Sequence, residues 1–346
     1  MQEKTSAKVG ITLQHKTNLK LLVYLFCGVI LGVLLEKSTK TKKIGVNLKT
    51  DILIDGQQLE LKRLKEQKIL TAVDDTPNTP ALYIITPTYK RLLQKAEITR
   101  VGQALVASKL PIHWIIVEDT TRNTSSTLLK NFYDKVRKQL LNVTLLQAST
   151  PKNTRHRGVS QRNAGLDFIA SNHKNSSAVI FFADDDNTYD ERVFHEFARI
   201  GLNGPTEVVG VLPVGTVGGL KWEGPICDKN GTINGWHSIS ARDRPFPMDM
   251  AGFAMTVDAV IESKARFRSS MKPGHLESSF LIQVMKLKSK RTGHLVNWEV
   301  QSKMIGLGNG CRDVLVWHTK SVGPNTNPEN KLRMPPFNEH WPILEV

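Results

Sequence analysis

The sequence predicts an α/β protein, with a doubly wound sheet covered by helices on both faces. Two observations carry this expectation. Short, nearly all-apolar runs alternate with helical patterns from residue 81 onward. Strands buried on both faces and linked by crossover helices read in this way. Three of the runs also end in polar clusters, at Thr88-Tyr89, Glu118-Asp119 and Asp184-Asp185-Asp186. In an open α/β sheet the ligand crevice lies outside the carboxyl ends of the strands.

The elements follow in order. Ala81–Thr86 reads as the first strand and leads into Pro87-Thr88-Tyr89. Leu92, Leu93, Ala96, Ile98, Val101 and Leu105 recur at helical spacing. His113–Val117 is the second strand, Ser125–Lys138 the next helix and Asn142–Leu146 the third strand. Gly158–Ala170 is a helix and Ala178–Ala183 a strand rich in aromatic and β-branched residues.

That strand runs straight into the acidic triplet Asp184-Asp185-Asp186. Adjacent carboxylates repel one another, and a hard divalent cation relieves the repulsion. One or two carboxylates plus substrate phosphates is the usual setting for such an ion. The competing account is a solvated acidic turn before a helix over Glu191–Ile200, since helix N-termini favour acids. An EF-hand loop does not fit: counted from Asp184, the sixth residue is Tyr189 and the twelfth is His195, where Gly and Glu are required.

The second half changes character. Val208–Val214 and the small-residue run Ala251–Val257 read as strands, a helix begins near Glu277, and Val314–Trp317 is a late strand leading to His318. Between them lies a Gly/Trp-rich stretch holding Trp222, Glu223 and Trp236. Such loops suit carbohydrate, which stacks on aromatic faces; ordinary loop anchoring explains the tryptophans equally well. Arg155, His156, Arg157 and Arg162 suit phosphates or a sugar carboxylate, or a solvated helix start. Glu277, at a loop–helix junction, suits a general base or a first-turn acid that complements the helix dipole.

The 47 Lys plus Arg against 32 Asp plus Glu give a formal charge of +15. This favours polyanionic partners, yet no zinc-finger spacing or RNA-binding pattern is present, so nucleic acid is not expected as the partner. Near the N-terminus, Leu21–Leu35 is an uninterrupted apolar run. As a helix it spans about 22 Å against ~30 Å for an average bilayer core. Basic flanks and the lack of a small-residue cleavage site point to an uncleaved signal-anchor in a thin membrane. Four Asn-x-Ser/Thr sequons, at Asn123, Asn142, Asn175 and Asn230, accord with a luminal body. Cys227 and Cys311 pair there or remain two thiols.

An ordered set of motifs runs from about residue 81 to 320. It comprises Pro87-Thr88-Tyr89, Val117-Glu118-Asp119, the stretch Arg157 to Asn163, Asp184-Asp185-Asp186, Trp222-Glu223-Gly224-Pro225, the stretch Arg244 to Ala254, Glu277-Ser278 and Val316-Trp317-His318-Thr319. This set resembles the β-1,3-glucuronosyltransferases, Golgi enzymes that add glucuronate to terminal galactose.

The resemblance implies a nucleotide-sugar fold of the glycosyltransferase A type, with a mixed sheet and an acceptor-binding second half. It implies that Tyr89 stacks on uracil and Asp119 hydrogen-bonds it, that Arg157 and Arg162 hold the donor, that Asp184 and Asp185 contact its ribose and sugar side, that His318 contacts its phosphate or glucuronate, that Pro87, Thr88 and Lys320 belong to the same UDP-glucuronate site, and that Asp186 ligates Mn²⁺. The family has Arg where Lys320 stands, so the bidentate fork is lost. Glu223, Trp236, Arg244 and Asp249 are implied to bind the acceptor galactose, with Glu277 as the base. A homodimer in the Golgi membrane is implied. The expected boundaries are a cytosolic tail over 1–18, the membrane helix over 19–35, a stem over 36–80, a UDP-sugar-binding half over 81–190, an acceptor-binding and catalytic half over 191–322 and a tail over 323–346.

Overall fold

The computed structural model describes residues 81–328, apart from 123, 141, 155, 174–177, 201–205, 240–243, 273, 288–296 and 320. The expected membrane helix, stem and terminal tail beyond 328 lie outside the described residues. Among the described residues, no helix is long and apolar enough to cross a membrane.

The first half builds the sheet as expected. Strands β1 (Leu82–Tyr89), β2 (Ile112–Asp119) and β3 (Asn142–Gln147) alternate with helices α1 (Gln94–Ala107), α2 (Thr127–Val136) and α3 (Val159–Asn172), followed by β4 (Val179–Phe182). β1 pairs in parallel with both β2 and β4, and β2 pairs in parallel with β3. The chain therefore moves outward from β1 to β3, then returns to the other side of β1. The direction of winding reverses between β1 and β4, and that reversal opens a crevice at their carboxyl ends. Both β1 and β2 run further than expected, so Pro87-Thr88-Tyr89 and Glu118-Asp119 belong to the strands themselves.

Alternate residues of each strand feed two cores, one on either face. Leu82, Ile84 and Phe181 face one core; Tyr83, Ile85 and Phe182 face the other. Each such buried side chain contributes about 1.5–3 kcal/mol through removal from water. On the second face α3 packs directly on β1. A Cβ at Gly165 would lie 2.8 Å from Ile85 Cγ2, so only glycine permits this approach.

The second half departs from the expected strands. The run Val208–Val214 is divided. β6 (Val209–Val211) belongs to the large sheet, while β7 (Val214–Gly215) belongs to a second sheet. Pro213 has no N–H for a ladder, and the break falls beside it. The run Ala251–Val257 begins as a 3₁₀ turn, Met250–Gly252, and only then becomes β10 (Phe253–Thr256). β10 is antiparallel to both β4 and β6, which makes the sheet mixed. Helix α5 (Val257–Ser263) follows directly, and β11 (Met304–Gly306) adds an edge parallel to β6. The large sheet has the order β11-β6-β10-β4-β1-β2-β3.

The Gly/Trp-rich stretch is a β-hairpin, β8 (Trp222–Cys227) and β9 (Ile233–His237). Asp228 Oδ1 closes its turn by accepting from the N–H of Asn230 at 2.8 Å and of Thr232 at 2.9 Å. With β5 (Thr188–Tyr189), β7 and β12 (Val316–Trp317) it forms the second sheet, in the order β5-β12-β7-β8-β9. Helices α4 (Arg192–Ala198), α6 (Leu276–Val284), α7 (Trp298–Gln301) and the short α8 (Gly308–Cys311) complete the described part. Cys227 and Cys311, separated by 84 residues, are joined by a disulfide with Cα atoms 5.6 Å apart, within the normal range for such a bond.

Candidate active site

The crevice between β1 and β4 is a cleft of about 180 Å³. It gathers Pro87, Thr88, Tyr89, Asp119, Arg157, Arg162, Asp184, Asp185 and Asp186. Tyr89 is the last residue of β1 and is 40% exposed. Its ring lies 4.4 Å from the Arg91 guanidinium carbon and 5.3 Å from that of Arg157. Asp119, at the end of β2, accepts from Thr150 N–H at 2.9 Å and from Thr150 Oγ1 at 2.6 Å. These bonds fix the carboxylate before any ligand arrives. Gln161 supports the same loop by donating to Ala148 O at 2.6 Å and Thr150 Oγ1 at 3.2 Å.

Gly158 sits at φ +78°, and a Cβ there would collide with the Arg162 guanidinium. A glycine before α3 thus lets Arg162 fold back over the turn and pair with Asp184. Asp185 is buried, and its Oδ1 lies 2.7 Å from Arg91 Nη2. Burial pushes the Asp185 carboxyl up to about 6, against the opposing pull of Arg91. Asp186 is also held above the usual carboxylate range, first by burial and then by the charge of Asp184.

The Asp186 carbonyl is gripped from two sides. Arg100 Nη2 donates to it at 2.9 Å and Thr319 Oγ1 at 2.7 Å. Thr319 follows His318 directly after β12, so the second sheet delivers His318 beside the triplet. His318 Nδ1 lies 3.1 Å from Asp249 Oδ2. That contact raises the imidazole above its ordinary value, and burial partly opposes it.

The carboxylates of Glu223 and Glu277 converge on Arg244. Its Nη1 is 3.4 Å from Glu223 Oε1, and its Nη2 is 3.8 Å from Glu277 Oε2 and donates to Met248 O at 2.5 Å. Ser238 Oγ also donates to Glu223. Asp249 caps the 3₁₀ turn by accepting from Ala251 N–H at 3.0 Å. Glu277 lies in the first turn of α6, and its Oε2 is buried with no hydrogen-bond partner among the described residues. Burial is the main reason its carboxyl is raised; Arg244 pulls it down and Asp249 pushes it up. A carboxylate with a free buried lone pair and raised basicity is equipped to take a proton.

One expected site residue is placed elsewhere. Trp236 is 7% exposed and packs edge-on against Phe246 at 5.9 Å. It is part of the core and presents no stacking face. The half-buried aromatic pair on that hairpin is Trp222 stacked on His237, 4.0 Å between ring centres. Lys320, Asn123 and Asn175 lie outside the described residues. Asn142 is exposed at the start of β3 and Asn230 in the β8–β9 turn.

Sequence reasoning missed Arg91, Gln94, Glu97 and Arg100. Gln94 donates to Thr88 Oγ1 at 3.1 Å and Glu97 pairs with Arg91. Their available signal was a polar residue at every third position, with Gln94, Glu97 and Arg100 in the first turns of α1 and Arg91 just before it.

A crevice at a winding reversal, lined by an acidic triplet and two guanidinium groups, is a site suited to an anionic ligand such as a phosphate. A model of glycosyltransferase family 43 matches residues 101–322. The chain is 40% identical over 271 residues to galactosylgalactosylxylosylprotein 3-beta-glucuronosyltransferase 2 of Rattus norvegicus, covering 76% of this chain and 75% of the rat protein. It is 38% identical over 256 residues to galactosylgalactosylxylosylprotein 3-beta-glucuronosyltransferase I of Drosophila melanogaster, covering 70% and 76%. The chain belongs to glycosyltransferase family 43. Among solved structures, S. aureus TarS 1-349 in complex with UDP is similar with a TM-score of 0.43 and 13% identity, over 69% of this chain and 60% of that one.

Proposed function

We propose that the protein transfers glucuronate from UDP-glucuronate to the 3-hydroxyl of a terminal galactose, in the glycosaminoglycan–protein linkage region or a related galactose-ended glycan. Its body faces the Golgi lumen behind a single signal-anchor helix, and it acts as a homodimer. The observation that carries the reaction is Glu277: a half-buried carboxylate with raised basicity whose Oε2 is buried without a hydrogen-bond partner among the described residues, held near Arg244. The names of the relatives support the donor and the acceptor.

In this reading Tyr89 stacks on uracil and Asp119 accepts from it. Arg157 and Arg162 neutralise the donor's negative charge, while Asp184 and Asp185 accept from ribose and sugar hydroxyls. His318, whose imidazole Asp249 holds above its ordinary value, faces a donor oxygen. Glu223, Arg244 and Asp249 orient the galactose hydroxyls, and Glu277 Oε2 takes the proton of the 3-hydroxyl as it attacks the anomeric carbon. Displacement occurs once, so an α-linked donor yields a β product and no second carboxylate acts as nucleophile.

Asp186 fits a divalent cation. Burial and Asp184 both disfavour its bare charge, and an adjacent cation removes that penalty. Among the described residues no group of three or more His, Cys, Asp or Glu converges on a metal, which suits an ion held by one carboxylate and by substrate phosphates. When bound by Asp186, Mn²⁺ would neutralise the charge that develops on the departing diphosphate.

Donor competition tests the reading. With purified protein, Mn²⁺ and galactosyl-galactosyl-xylose, UDP-glucuronate is expected to be consumed in preference to UDP-galactose and UDP-N-acetylhexosamines. Preference for one of those donors would replace the proposed donor. Absence of transfer from all of them, with sugar binding retained, would make the chain a carbohydrate-binding relative.

A further inference from the structure

Ser278 follows Glu277 directly in the first turn of α6 and is 1% exposed. Its Oγ accepts from the Phe246 N–H at 3.1 Å and donates to Phe246 O at 3.0 Å. Phe246 is fully buried and stands between Pro245 and Pro247. Neither proline has an N–H, so the stretch offers little to a strand ladder. Phe246 supplies the one N–H between them, and a buried N–H requires an acceptor. The Ser278 hydroxyl is that acceptor, and it donates back to the same residue.

The stretch tied in this way carries Arg244, two residues before Phe246, and Asp249, three residues after it. Glu277 Oε2 is 3.8 Å from Arg244 Nη2, too far for a hydrogen bond. That ion pair therefore does not fix where the carboxylate stands. Phe280, two residues beyond Ser278 and on the opposite side of the helix, stacks on Phe267 with ring centres 4.2 Å apart. The Asn163 amide holds the backbone of Phe267 through two bonds of 3.0 Å. Stacked rings hold α6 down yet are tolerant of offset, whereas the paired hydrogen bonds of Ser278 are directional.

We infer that Ser278 is a positioning residue for the transfer, its hydroxyl setting the place of Glu277 against Arg244 and Asp249. The inference rests on Glu277 as the base and adds to it the group that holds the base in register.

The test uses the full-length protein with Mn²⁺, UDP-glucuronate and galactosyl-galactosyl-xylose, with thermal melting as a fold control. In Ser278→Ala, kcat is expected to fall about 10-fold or more, since a misplacement of about 1 Å can cost about 100-fold, while the affinity for UDP is unchanged. Ser278→Cys, which keeps the size but only a weak donor and acceptor, falls between. Burial raises the Glu277 carboxyl; among the charged groups Arg244 lowers it most, Asp249 raises it and Arg162 lowers it. Ser278→Ala therefore moves the acid limb of kcat to higher pH, as Arg244→Gln does, and the two changes together move it little further than Arg244→Gln alone. An unchanged kcat in a folded Ser278→Ala protein, a loss of UDP affinity equal to the loss of kcat, or pH shifts that simply add would overturn the assignment. If Ser278→Ala fails to fold, Ser278→Cys is read in the same way. A Glu277→Gln protein that keeps its turnover would instead overturn the base itself, and this proposal with it.

Discussion

Glu277 shows what one residue's surroundings decide. Its carboxyl is raised chiefly by burial, and Arg244 works in the opposite direction. A base acts only when deprotonated, so kcat falls as pH drops through this raised value, at higher pH than an ordinary carboxylate would impose. Arg244→Gln removes the lowering influence and moves the acid limb to still higher pH. Glu277→Gln lowers kcat by about 100-fold or more while UDP binding persists; pH–rate profiles and calorimetric UDP titration check these outcomes. Legibility differs sharply among residues. The acidic triplet was visible because its members are consecutive and end an apolar strand. Arg91 was hidden because its partners are Glu97, on the following helix, and Asp185, far along the chain. Trp236 misled because a tryptophan in a Gly-rich stretch looks like a loop face. Its burial depends on the hairpin register that pairs it with Pro225, which no local pattern encodes.

At the scale of elements, the packing of α3 on β1 is the clearest constraint. Alanine favours a helix over glycine by roughly 1 kcal/mol. Gly165→Ala is nevertheless expected to destabilise the protein by about 1–3 kcal/mol, the usual cost of overpacking, because its Cβ meets the Ile85 side chain at 2.8 Å. Combined with Ile85→Ala, which makes room, the double variant loses less than the sum of the singles; denaturant melts of the four proteins measure the coupling. The long strands β1 and β2 were legible because both of their faces are buried and their apolar runs are continuous. The two- and three-residue strands β5, β7, β11 and β12 were not readable as separate elements. They are strands only because a neighbour lies alongside, and sequence pattern does not report neighbours.

At the scale of the molecule, the Cys227–Cys311 disulfide joins β8, which carries Glu223, to the segment leading to β12 and His318. A cross-link over 84 residues restricts the unfolded chain and stabilises by about 4–5 kcal/mol. Reduction, or Cys311→Ser, is expected to lower the melting temperature by roughly 10 °C, measured by calorimetry with and without reductant. The two sheets also share the chain at two short crossings. Leu212-Pro213 passes from β6 to β7, and residues 183–187 pass from β4 to β5. The acidic triplet is itself one of these crossings. These are the two shortest of the crossings between the sheets, and one of them carries the proposed metal ligand. The triplet is tied covalently to a strand of each sheet, so any movement of one sheet against the other would displace Asp186 itself.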